Sequence, residues 1–115
     1  MQLTPSLLGS ARVLTIVGRV DQTHAKDLEI ALAPHLAECS ATGAALVLDF
    51  SGVDYISSIG LRVLLLAAKQ VKLQQGRIAV AALTPVVAEV FKVSRFDLVL
   101  KVLPTVAAAA ADFDP

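Results

Sequence analysis

The stretch Ala44-Ala45-Leu46-Val47-Leu48-Asp49-Phe50 is apolar at every position except Asp49. A strand with one wet face alternates polar and apolar residues. A run without that alternation needs cover on both faces, as a central strand of a parallel sheet does. Such a strand cannot stand alone, so the rest of the chain must supply its neighbours and two covering layers. With 115 residues there is material for one domain built around one such sheet, residues 1–115.

The flanking segments fit that demand. Residues 3–8 read as a short edge strand weakened by Pro5, and residues 12–17 as a strand rich in β-branched side chains. Thr23 is placed to cap a helix on which Ala25, Leu28, Leu32, Leu36 and Cys39 share one face, with Pro34 on the opposite side as a kink or break. Residues 61–75 are helical in period, with Leu61, Leu64, Leu65 and Ala68 on one face and Gly76 at the C-cap. Residues 78–82 read as a buried strand. Thr84-Pro85 opens a helix that runs to about Val93 with Val86, Val90 and Val93 inward. A last strand at 98–102 and a helix from Pro104 to Ala111 complete the pattern. The expected architecture is α/β: a mixed, mostly parallel sheet of four to five strands with about four helices.

Composition removes several classes of function. Hydrophobic residues at 56% against 17% charged exclude a disordered chain. Ten Lys plus Arg balance ten Asp plus Glu, which leaves no basic face for nucleic acid and no electrostatic pull toward anionic lipid. The longest uncharged apolar run, residues 78–88, is too short to span a bilayer and contains Pro85. The N-terminus lacks the basic and apolar regions of a signal peptide, and the lone Cys39 allows no internal disulfide. These features predict a cytoplasmic protein with no membrane insertion. Cys39 itself reads as a small core residue.

The loops beyond the carboxyl ends of parallel strands are where sites gather. Two such segments carry polar residues here: Gly18-Arg19-Val20-Asp21, and Asp49 through Gly60. In the second, Ser58 is placed to be the N-cap of the helix that follows, and Gly60 leaves the turn uncrowded. A helix N-terminus favours negative charge, so the fold would tolerate a phosphate on Ser58. That phosphate would add about −1.5 to −2 charges to the surface a partner meets. The helix also carries Val63, Leu66 and Ala67 off its core face, and apolar surface beside a polar loop marks either a docking site or simple burial by neighbours.

Asp54-Tyr55-Ile56-Ser57-Ser58-Ile59-Gly60-Leu61-Arg62-Val63-Leu64-Leu65 resembles the signature of STAS domains, and among them that of bacterial anti-sigma factor antagonists. Gly18-Arg19-Val20-Asp21 is similar to the family's early turn. Thr84-Pro85 and Phe91-Lys92-Val93-Ser94-Arg95-Phe96 are similar to its third helix and the turn after it. The resemblance covers nearly the whole chain. It implies that a partner serine kinase with a histidine-kinase-like ATPase fold, often itself the anti-sigma factor, phosphorylates Ser58. It implies further that the unphosphorylated form binds that kinase and frees a sigma factor, and that a metal-dependent serine phosphatase restores binding. Where many antagonists have Asp before the acceptor, this chain has Ser57, which leaves Ser57 as the alternative acceptor. The implied partner surface is Asp21, Asp49, Ser57, Ser58, Ile59, Gly60, Arg62, Val63 and Leu66. For Asp49, turn capping is an equal reading.

An enzyme is not expected. Ile56 stands where a nucleophile elbow needs glycine, His24 and His35 read as solvated helix residues without zinc spacing, and no Gly-rich loop with lysine cradles phosphate. No cofactor or metal is expected. Two other readings remain open. One is an accessory subunit of a lipid-transport ATPase, which needs no phosphoswitch. The other is a structural domain that self-associates through the 3–8 edge strand. The chain is expected to be a monomer or weak dimer.

Overall fold

β1 (Gln2–Leu8) and β2 (Ala11–Val20) form an antiparallel hairpin, with Gly9 at φ 61° supplying the positive dihedral the tight turn needs. A computed structural model describes residues 1–113 of the chain. The chain then alternates: α1 (Ala25–Ala37), β3 (Leu46–Ile56), α2 (Ser58–Leu73), β4 (Ile78–Ala81), α3 (Pro85–Val93), a 3-10 turn (Phe96–Leu98), β5 (Lys101–Leu103) and α4 (Val106–Asp112). The strands lie in the order β1-β2-β3-β4-β5, antiparallel at the first pair and parallel across the other three. This is the mixed, mostly parallel α/β sheet that the unbroken apolar run demanded, with β3 at its centre.

Side-chain alternation divides the cover. Leu46, Leu48 and Phe50 point to one face, where α1, α2 and α3 bury Leu28, Leu32, Leu64, Val71, Val87 and Phe91 against them. Val47, Ala45, Ala79 and Ala81 point to the other, where α4 lays Ala109, Ala110 and Phe113. With few aromatics available, three of them interlock: Phe91 meets Phe50 edge-on at 6.4 Å and Phe96 at 5.2 Å.

Several local expectations are corrected. The segments 18–21 and 49–60 are not mainly loops: β2 runs to Val20 and β3 to Ile56. They stay paired through register shifts between Thr15 and Val17 and between Gly18 and Arg19. Helix α1 starts from His24 rather than Thr23 and passes Pro34 unbroken, ending at Ala37, so Cys39 is core but lies beyond the helix. On α3 it is Val87 and Phe91 that face inward, with Val90 half-buried; Val86 and Val93 are exposed. The Phe50–Phe91–Phe96 stack sets that rotation. The last strand begins at Lys101, not 98, because Arg95 takes a left-handed conformation (φ 58°) and folds 96–98 into a tight turn. That turn buries Phe96 and leaves Leu98 outside. The final helix begins at Val106, capped by Thr105, whose Oγ1 accepts from Ala108 N at 3.0 Å. At the end of α2 the left-handed residue is Gln75. Gly76 is glycine because a Cβ there would lie 2.4 Å from the Cys39 carbonyl oxygen.

Candidate functional site

The end of β3 delivers the chain to α2 through two serines with different tasks. Ser57, not Ser58, is the N-cap. Its backbone is extended (φ −87°, ψ 169°), its Oγ accepts from Gly60 N at 3.1 Å, and its own N–H donates to Val20 O at 2.9 Å. Ser57 is therefore held by β2 on one side and by the first turn of α2 on the other. Ser58 is the first helical residue, and it is exposed. Its hydroxyl makes no hydrogen bond among the described residues. Ser58 is thus not the cap expected from the sequence, and the hydroxyl that stands free at this corner is that of Ser58.

Gly60 sets how near the helix comes. A Cβ there would lie 2.8 Å from both Ile56 Cγ1 and Val20 Cγ1, so the first turn is pressed onto the ends of β2 and β3. Ser58 thus stands at a rigid corner, next to the positive end of a helix of sixteen residues. Arg62, four residues on, is exposed on the same side of the helix.

Beside Ser57, the end of β2 carries a polar chain that the sequence did not reveal. The Asp21 carboxylate accepts from His24 N at 3.0 Å and contacts His24 Nδ1 at 2.7 Å, with Arg19 Nε at 3.6 Å. The Arg19 guanidinium lies 4.1 Å from the centre of the Tyr55 ring. The hydrogen bond from His24 holds the Asp21 carboxyl below the usual carboxylate range. His24 is therefore no freely solvated helix residue: it starts α1 and is half-buried against Asp21. The legible signal was an Asp three residues before a helix start, a spacing at which the carboxylate can accept the exposed backbone amide.

The other expected site residues divide. Ile59 and Leu66 are 42% and 48% exposed on α2, while Val63 is only 9% exposed and belongs to the core. Asp49 is not brought to Ser58. It sits on the α4 side of β3, taking Ser51 N at 3.0 Å and Thr15 Oγ1 at 3.4 Å, where it steadies the first register shift. At about 3.3 Å per residue, the seven residues to Ile56 put it roughly 20 Å away. Between α1 and α2 lies a small groove of about 180 Å³, lined by Leu32, Leu36, Val63 and Leu66 with Glu29 and Gln70 at its lips. No described helix is long and apolar enough to cross a membrane.

Comparison with known proteins fits this geometry. The family model described as "Mlab, STAS domain" matches residues 3–104. The provisionally named anti-sigma factor antagonist BtrV of Bordetella bronchiseptica is 39% identical over 113 residues, covering 98% of this chain and 95% of that protein. Among solved structures, an anti-sigma factor antagonist from Mycobacterium paratuberculosis superposes with a TM-score of 0.84 at 23% identity, covering 96% and 92% of the two chains. The Bacillus cell fate determinant SpoIIAA in its phosphorylated form gives 0.69 at 13% identity over 98% and 100%.

Proposed function

This chain belongs to the STAS domain family, and we propose that it is an anti-sigma factor antagonist switched by phosphorylation of Ser58. The observation that carries the reading is the division of labour at the start of α2: Ser57 spends its hydroxyl on the cap, and Ser58 presents a free one at the corner of the sheet. The resemblance to BtrV over nearly the full length supports the antagonist assignment. The existence of a phosphorylated form of SpoIIAA supports the switch.

The physical account is short. Unphosphorylated, the surface of Ser58, Ile59, Arg62 and Leu66, with Asp21 beside it, receives a cytoplasmic serine kinase of histidine-kinase-like ATPase fold that also restrains a sigma factor. Phosphorylation places about two negative charges at the N-terminus of α2, where the dipole and Arg62 stabilise them. The fold is then unchanged while the surface the kinase meets is repelled or blocked. A serine phosphatase reverses the step. This chain contributes a binding surface and an acceptor hydroxyl, not a catalytic group.

The second reading, carried from the sequence, is an accessory subunit of a lipid-transport ATPase, which needs no phosphorylation of Ser58. One experiment separates the two. Wild type, Ser58→Ala and Ser58→Glu are used as bait in lysate of the source cell, and captured proteins are identified by mass spectrometry. Wild type and Ser58→Ala should hold a kinase-type ATPase that Ser58→Glu loses by about 100-fold, close to 2.8 kcal/mol of binding. Capture of the same transporter subunits by all three baits would establish the second reading instead.

A further inference from the structure

The outward face of α2 has a composition that neither its packing nor a single acceptor serine explains. The buried residues Gly60, Val63, Leu64, Ala67 and Val71 occupy one side. On the other, Arg62, Leu66, Lys69 and Leu73 follow at spacings of four, three and four, which places them within an arc of about 60° at 100° per residue. All four are solvent-facing, Leu66 at 48% and Leu73 at 87%. The helix contains Arg62, Lys69 and Lys72 and no Asp or Glu at all.

Four of the chain's ten Lys and Arg side chains find carboxylates, Arg12 with Glu38, Arg19 with Asp21, Lys26 with Glu29 and Lys101 with Asp112, while Arg77, Lys92 and Arg95, scattered over other elements, do not among the described residues. Arg62, Lys69 and Lys72 form no ion pair among the described residues. Two leucines interleaved with unpaired cations along one exposed line are the complement of a helix that carries apolar anchors at the same spacing with carboxylates between them.

We propose that the far half of this outer stripe of α2, centred on Lys69 and Leu73 with Leu66 at its near edge, is a docking surface for an acidic amphipathic helix of a partner protein, engaged whether or not Ser58 is phosphorylated. The second half of the statement follows from distance. At 1.5 Å per residue, Lys69 and Leu73 lie about 16 and 22 Å along the axis from Ser58, two or more screening lengths at physiological salt. A phosphate at the helix start governs the corner and Arg62, and leaves the far half of the stripe unaltered. The inference does not rest on the phosphoswitch and survives its failure.

The test uses the full chain, labelled with ¹⁵N, and two synthetic helical peptides. Both carry leucine at i, i+4, i+7 and i+11, with glutamate at the intervening positions in one and lysine in the other. The glutamate peptide should shift the amides of residues 66–73 and lose at least 10-fold in affinity on Lys69→Glu or Leu73→Ser. The same substitutions should leave the unfolding midpoint unchanged, since both side chains are exposed. Ser58→Glu should bind it within about 2-fold of wild type. Equal binding of the lysine peptide, shifts centred elsewhere, or no shifts at millimolar peptide would overturn the proposal. So would Leu73-dependent binding to phosphatidylglycerol vesicles that outcompetes the peptide, which would make the occupant a membrane. A 10-fold loss on Ser58→Glu would overturn the independence from phosphorylation.

Discussion

Two strand-to-helix junctions lie at the same end of the sheet, and they use their hydroxyls in opposite ways. At the start of α3, Thr84 occupies the N-cap position, yet its hydroxyl makes no cap bond. It donates instead to the carbonyl of Val53 at 2.8 Å, stitching α3 to β3. At the start of α2, Ser57 caps its own helix and the next hydroxyl is left over. The first junction spends its polar group on the sheet. The second duplicates the serine, so that one copy serves the fold and the other is free for chemistry. A switch can be built only where modification of a side chain leaves the scaffold's own bonds intact.

The largest test of that contrast is the 100-fold loss of partner binding expected for Ser58→Glu, accompanied by an unchanged urea midpoint. A large drop in stability would show that Ser58, too, belongs to the scaffold. Next is Gly60→Ala. Its Cβ must displace Ile56 and Val20, both buried, which should cost about 1–3 kcal/mol by urea unfolding. A neutral result would mean that the corner is looser than its contacts imply.

Ser57→Ala and Thr84→Val should each cost about 1 kcal/mol, one through a lost cap and the other through a lost bond to a carbonyl. Neither should alter the mass shift of the phosphopeptide that contains Ser58. Loss of phosphorylation in Ser57→Ala but not in Ser58→Ala would exchange the roles of the two serines.

The smallest effect concerns Asp21. Its folded carboxyl is held below the usual range, so it contributes stability that is present above the unfolded value near pH 4 and lost as pH falls through the lower, folded one. Asp21→Asn should therefore melt below wild type at pH 7, and the gap should close as pH falls below about 4. A gap that stayed constant with pH would assign the loss to packing rather than to the charge.

These junctions also show what sequence could and could not reveal. The central strand was legible because an apolar run without alternation has only one kind of environment. The helices were legible from period, and the family from a resemblance in the 54–65 segment. What failed were choices between neighbours. Ser57 and Ser58 have identical propensities, and only the bond to Gly60 separates them. Val86 and Val87 differ in nothing but rotation, which the aromatic stack of Phe50, Phe91 and Phe96 decides. Bulges that keep β2 and β3 paired to Val20 and Ile56 leave no composition signal beyond glycines that also fit loops. The family resemblance put Asp49 on the partner surface beside Ser58, but an extended strand carries the two apart and Asp49 accepts from Ser51 N, in keeping with the alternative reading of turn capping.

The alanine tract of α4 has a meaning for sequence drift. Ala109 and Ala110 rest on the face that Ala45, Ala79 and Ala81 present, so the thickness of that layer is set by methyl groups on both sides. Ala107 and Ala111 point outward and are free to change. Among homologues of this chain, a tract that looks like interchangeable filler should separate into two clocks: outward positions that wander among helix-forming residues, and inward ones that stay small or change only together with the strand opposite.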